Sequence, residues 1–132
     1  MPAERFSIAG AVNTALYSSS VRYGDLIWTA GHTAADDSGP MPDDFAMQVH
    51  QTLDHLEAAL VAAGGGLDTV IKVTTFLTDF DDFPIYNEIY TARFAGNGLP
   101  ARATVQVARF PGNLQFEMEA VAHVRSPGVT TD

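Results

Sequence analysis

Residues 116–124 read FEMEAVAHV, and their alternation decides the fold. Phe116, Met118, Ala120, Ala122 and Val124 fall on one side of an extended segment, while Glu117, Glu119, Val121 and His123 fall on the other, because successive side chains of a strand point to opposite faces. One of those faces is core. Just upstream, Ala103–Arg109 (ATVQVAR) reads as another strand, joined to the first by a turn at Pro111-Gly112-Asn113.

Working outward, Val70–Thr78 (VIKVTTFLT) is dense in β-branched and aromatic residues and reads as a central strand. Between it and the C-terminal strands, Asp81 or Asp82 caps a helix with Pro84 in its first turn, an apolar face of Ile85, Tyr86, Ile89, Tyr90 and Phe94, and a stop at Gly96. An earlier helix begins at Asp43 or Asp44, carries Phe45, Val49, Leu53, Leu56 and Leu60 at spacings of four and three, and ends at Gly64-Gly65-Gly66. Its other face, with Gln48, Gln51, Asp54 and His55, is expected to meet solvent. Thr33–Pro42, rich in Asp, Ser, Gly and Pro, reads as an exposed connection. Near the N-terminus, Ser18–Arg22, the turn Tyr23-Gly24-Asp25 and a buried strand Leu26–Thr29 (LIWT) form a β-hairpin. Strands, helix, strand, helix, strands is the order of an α+β sheet with both helices on one side.

At 132 residues, the chain has the size of one domain, expected over residues 1–125 with a flexible C-terminal tail at 126–132. Hydrophobic residues at 46% against charged residues at 17% exclude a disordered segment. Seven Lys and Arg oppose 16 Asp and Glu, for a net charge of −9. The cations stand singly, so neither nucleic acid nor an anionic membrane surface is an expected partner. No run reaches the roughly 20 apolar residues that span a bilayer, and no apolar leader follows Glu4 and Arg5, so the expected location is cytoplasmic.

The absence of cysteine excludes disulfides, thiolate catalysis and Cys-type metal sites. His50 and His55 sit about 140° apart on a helix and cannot chelate one ion, and His32 and His123 are isolated, so no metal is expected. There is no G-x-S-x-G elbow, and Gly64-Gly65-Gly66 follows a helix rather than opening one, so it is a helix end and not a phosphate cradle. Arg102 stands out. Behind Pro100 and among small neighbours, its guanidinium can grip a carboxylate bidentately in a semi-enclosed site, or it can end a strand in solvent or beside one of the many acids. Glu117 and Glu119 share a strand face that can equally be solvated, and Tyr17 can be core or site.

The runs Asn87–Phe94 (NEIYTARF), Pro100–Phe110 (PARATVQVARF) and Phe116–Ala122 (FEMEAVA) together resemble the signature of the RidA/YjgF family of reactive-intermediate deaminases. The likeness spans nearly the whole chain, taking in Tyr23–Gly31, Ala62-Ala63-Gly64 and Lys72–Asp79 in the same order, with PAR-x-x-x-x-V-A-R its specific part. It implies a chorismate-mutase-like α+β fold, a mixed β-sheet with two helices packed on one face, assembled as a homotrimer with clefts between adjacent subunits. It implies hydrolysis of small 2-imino or enamino acids to 2-oxo acids and ammonia, with no cofactor. By position, Arg102 matches the carboxylate clamp, Glu117 the acid that positions water, Tyr17 the cleft tyrosine, Asn87 the asparagine of the second helix and Gly31 the glycine of the strand-end motif. Ala30 and Thr104 line the same pocket.

The chain also departs from the pattern. Ala30 replaces a usual serine, His32 a common glutamine and Thr104 a frequent cysteine, and Ala15-Leu16 stands for Gly-Pro before the cleft tyrosine. The clamp is intact while the pocket wall is altered. Two alternatives follow: a non-catalytic trimeric module that binds a small carboxylate or a partner, and an endoribonuclease, which the charge of −9 opposes.

Overall fold

The computed structural model describes residues 2–11, 16–37, 39–96 and 98–125. Its elements are β1 (Glu4–Phe6), β2 (Ser20–Tyr23), β3 (Leu26–Thr29), α1 (Phe45–Ala62), β4 (Val70–Leu77), α2 (Phe83–Phe94), β5 (Ala101–Gln106) and β6 (Phe116–His123). The strands form one mixed sheet in the order β1-β2-β3-β6-β4-β5, so the α+β architecture expected from the sequence is the one observed. The expected tail at 126–132, like Ala15, lies outside the described residues.

The β6 alternation holds, with Phe116, Met118, Ala120 and Ala122 buried. They meet α1, whose Val49, Leu53, Leu56 and Leu60 are fully covered, and each such side chain contributes about 1.5–3 kcal/mol on burial. Phe116 also stacks on Tyr86 of α2 at 4.9 Å and meets Phe45 edge-on at 5.9 Å, which ties both helices to one face of the sheet. Asp44 caps α1 by accepting the Met47 amide. Gly64, at φ +99°, takes the left-handed conformation that lets the Gly65 amide bond back to the Leu60 carbonyl.

Several local expectations are corrected. The turn at Pro111-Gly112-Asn113 does not close a hairpin: β5 and β6 flank β4, β5 parallel to it and β6 antiparallel. The helix α2 between β4 and β5 supplies the crossover that a parallel pair requires. The strand expected at 103–109 runs from Ala101 to Gln106, the one expected at 18–22 runs from Ser20 to Tyr23, and the three-residue edge strand β1 is additional. In β3 only Ile27 is fully buried, whereas Leu26 and Trp28 lie on the other face, 38% and 43% exposed. Asp82 occupies the cap position of α2 without making a cap bond; Asp79 instead accepts the Asp81 amide in the preceding turn.

The supposed solvent face of α1 is a fastening device. Gln48 is fully buried, donating to the carbonyls of Pro42 and Asn113 and accepting from the Gln115 amide. Gln51 donates to the Ala34 carbonyl and His55 to the Thr33 carbonyl, so the first part of the connection read as exposed is held down, with Ala34 fully buried. Polar residues facing backbone groups of a loop have a burial that periodicity does not report.

The sheet register sorts the remaining strand residues by face. Val73 pairs with Arg102 and Thr75 with Thr104 on the helix side, while Phe76 pairs with both Val105 and Glu117 on the opposite side. Neither helix packs on that opposite face, which presents Trp28, Val105 and Leu26.

Candidate active site

On the helix side, Arg102 projects from β5 toward α2. Its guanidinium carbon lies 4.6 Å from the centre of the Tyr90 ring, 5.2 Å from Tyr86 and 5.4 Å from Phe83. Among the described residues it pairs with no carboxylate. The three rings hold the cation by their π faces, with the Tyr86 hydroxyl also in reach of its N–H groups, and no described carboxylate neutralises it. A cavity of about 240 Å³ opens beside it, lined by Asn87, Tyr90, Thr91, Leu99, Pro100 and Arg102.

Of the residues lining this cavity, Asn87 and Tyr90 have Oδ1 and OH buried with no hydrogen-bond partner among the described residues, and Thr104, two residues along β5 from Arg102, has its Oγ1 buried beside Tyr86. Buried polar atoms are nearly always partnered, so two such atoms in a cavity beside one cation suit a polar ligand. Tyr86, by contrast, is satisfied: its hydroxyl and that of Thr75 are 2.6 Å apart. Burial raises the proton affinity of both tyrosines, which keeps them neutral as hydrogen-bond donors.

The second group lies elsewhere. Glu117 leaves β6 on the helix-free face, and its carboxylate rests against Gly31: a Cβ added there would lie 2.5 Å from Oε2. Any side chain at position 31 would push the Glu117 carboxylate aside. Desolvation, followed by the neighbouring charge of Glu119, raises the Glu117 pKa above the ordinary carboxylate value. Ala30 donates its amide to the Ser19 carbonyl, and His32 exchanges both backbone bonds with Met118, which anchors the strand end beside Glu117. Tyr17, half-exposed, lines a cleft of about 580 Å³ with Arg5, Trp28, Thr29 and Ala30.

The residues singled out from the sequence therefore fall into two groups on opposite sides of the sheet. Arg102, Asn87 and Thr104 gather on one face; Glu117, Gly31, Ala30 and Tyr17 gather on the other. The sequence reading missed Tyr86 and Tyr90 as site residues because their spacing placed them on an apolar helix face. Their hydroxyls, unnecessary for packing alone, were the available signal. Among the described residues, no three His, Asp or Glu side chains group to hold a metal, and no helix is long and apolar enough to cross a membrane.

The family model described as Endoribonuclease L-PSP matches residues 9–124. The chain belongs to the RidA/YjgF family. A RutC family protein from Pyrococcus horikoshii is 38% identical over 109 residues, covering 81% of this chain and 86% of that one. The 2-iminobutanoate/2-iminopropanoate deaminase of Escherichia coli is 37% identical over 109 residues, covering 80% and 85%. Among solved structures, the E. coli YjgF gene product matches with a TM-score of 0.84 at 33% identity, over 92% of this chain and 99% of that one. E. coli TdcF with bound serine matches with a TM-score of 0.80 at 36% identity, over 89% and 93%. This RidA/YjgF chain thus shares its fold with family members that differ from it at about two residues in three.

Proposed function

We propose that this RidA/YjgF protein hydrolyses small 2-imino or enamino acids to 2-oxo acids and ammonia, in clefts where the Arg102 half-site of one subunit meets the Glu117 half-site of the next in a homotrimer. The observation that carries the reading is the guanidinium of Arg102, paired with no carboxylate among the described residues and opening on a cavity that holds the buried, unpartnered Asn87 Oδ1 and Tyr90 OH. The deaminase name of a 37% identical relative supports the same chemistry. The uncovered sheet face, with Trp28 and Val105 more than two-fifths exposed, supplies the surface on which copies associate.

In this reaction Arg102 binds the substrate carboxylate through paired N–H bonds, worth about 1.5–3 kcal/mol as charge-assisted hydrogen bonds. Asn87 and Thr104 complete the polar grip. The protonated imine is already electrophilic, so the protein must only fix it and deliver water to its carbon. Glu117 accepts a proton from that water as the C–O bond forms, then returns it to nitrogen. The tetrahedral intermediate expels ammonia as its hydroxyl proton passes to the Glu117 carboxylate, which leaves the C=O of the 2-oxo acid. A raised pKa suits Glu117 to both roles. Tyr17, Ala30 and Gly31 wall the cleft, and none of these steps draws on a cofactor.

A binding module without turnover is the second reading, favoured by Ala30, which offers the cleft no hydroxyl. Nucleolytic activity is opposed by the net charge of −9. The deciding experiment generates 2-iminobutanoate in place with an amino-acid oxidase and follows its decay. Purified protein should shorten the imine lifetime and release 2-oxobutanoate. Saturable 2-oxobutanoate binding with no change in imine lifetime establishes the second reading instead.

A further inference from the structure

We infer that His32 is a positioning residue that fastens the Tyr17 side of the site to the Glu117 strand through the carbonyl of Ser19. Its ring, 8% exposed, donates from Nε2 to the Ser19 carbonyl at 3.0 Å. Its backbone exchanges hydrogen bonds of 2.8 and 2.9 Å with Met118, next to Glu117. Ser19 lies two residues beyond Tyr17 and is a junction in its own right. Its carbonyl also accepts the Ala30 amide at 3.0 Å, its amide donates to the Phe6 carbonyl at 2.8 Å, and its hydroxyl accepts the Ile8 amide at 3.1 Å. The imidazole therefore closes a bridge from β6 to the segment carrying Tyr17 and Ala30, behind both walls of the proposed cleft.

A carbonyl can only accept, so Nε2 must carry the hydrogen. The groups facing this ring are His55 from α1, which shares a small cavity with His32, Tyr17, Ser19 and Gly31, together with Asp36, bonded to His55 at 2.9 Å, and Glu117 beside Gly31. Burial, the largest influence, holds the ring toward its neutral form; the Ser19 bond opposes it, and the nearby charge of His55 adds a smaller push in the same direction as burial. A second proton would strengthen the Nε2 bond but place a charge in that enclosure, where burial outweighs the gain, so acid favours an opened segment in which the ring is solvated.

This rests on the proposed function only for its kinetic arm; the structural arm stands alone. Amide hydrogen exchange, corrected for intrinsic rates, is read over residues 16–20 and at Ala30 in the parent, His32→Gln and His32→Phe. The glutamine amide keeps a donor at similar reach, whereas phenylalanine keeps the volume and loses the donor. His32→Phe should speed exchange in that segment by about tenfold, and His32→Gln should stay within about threefold of the parent. In the parent, lowering the pH from about 7.5 to about 5.5 should speed the same segment ahead of the rest of the sheet, and His32→Gln should abolish that response while leaving His55 in place. On imine turnover, His32→Phe should raise KM by about tenfold with kcat changed much less, and His32→Gln should rescue it.

Parent-like exchange in His32→Phe, or a pH response that survives in His32→Gln, overturns the inference. Should His32→Phe fail to fold, the pH comparison between parent and His32→Gln decides. Absence of imine turnover in the parent counts against the proposed function, and the exchange result then decides the role of His32 by itself.

Discussion

Arg102 and Glu117 leave opposite faces of one sheet although the same strand lies beside both: β4 pairs Val73 with Arg102 and Phe76 with Glu117. Residues three apart on a strand point in opposite directions, so these two pairings cannot share a face. A small substrate cannot touch both groups of one chain through the sheet between them. A site that uses both therefore requires a second chain, and an uncovered sheet face is present to receive one.

Arg102→Ala should lower kcat/KM by about 10- to 150-fold, the equivalent of the charge-assisted bonds it removes. Arg102→Lys should recover only part of the loss, because an ammonium offers neither the planar fork nor the same stacking on Tyr90 at 4.6 Å. Steady-state kinetics on 2-iminobutanoate reads both. Thermal unfolding should change little, since Arg102 forms no ion pair among the described residues.

Glu117→Gln should reduce kcat by about 10²- to 10⁴-fold, the range of general acid–base catalysis. The acid limb of the kcat/KM profile should lie above the ordinary carboxylate value of 4.5, because burial and then Glu119 raise the Glu117 pKa. Glu119→Gln should move that limb downward. Folding favours the protonated carboxyl, a contribution fully present below pH 4.5 and lost as pH rises through the higher folded-state value. Glu117→Gln should consequently be more stable than the parent at neutral pH, an advantage that shrinks on acidification in urea titrations.

Gly31→Ala should lower activity by about tenfold while changing stability by less than about 1 kcal/mol. The new Cβ would lie 2.5 Å from Glu117 Oε2, and a carboxylate at the end of a flexible side chain moves aside more readily than backbone does. Kinetics beside a denaturant midpoint separates the two effects.

Gln48→Leu should destabilise the fold by on the order of 3 kcal/mol, a drop of roughly 10 °C in Tm. The substitution strands the Pro42 and Asn113 carbonyls and the Gln115 amide inside the protein. An unchanged Tm would show that the amide is replaceable there.

The alternation of residues 116–124 and the four-and-three spacing in α1 made the sheet face and the first helix legible, because each is a local pattern with one energetic optimum. The parallel placement of β5 was not. A turn of Pro111-Gly112-Asn113 is compatible with a hairpin, and only the pairing of β4 with both neighbours rules it out. Gln48 and His55 read as solvent-facing because their partners are loop carbonyls far along the chain. At the site, Arg102 and Glu117 were visible as residues, while their separation across the sheet depends on register, which emerges only when three strands are aligned.

The most direct test of a site shared between chains mixes two impaired proteins. Arg102→Ala and Glu117→Gln, each purified, are combined at equal amounts, unfolded and refolded together, and assayed for imine hydrolysis. In every mixed trimer one cleft in three joins an intact Arg102 from one chain to an intact Glu117 from another, and about three-quarters of randomly assembled trimers are mixed, so the mixture should recover about a quarter of parental activity while each variant alone stays at its own reduced level. Mixed oligomers that demonstrably form yet show no more activity than the average of the two separate variants would contradict a shared site.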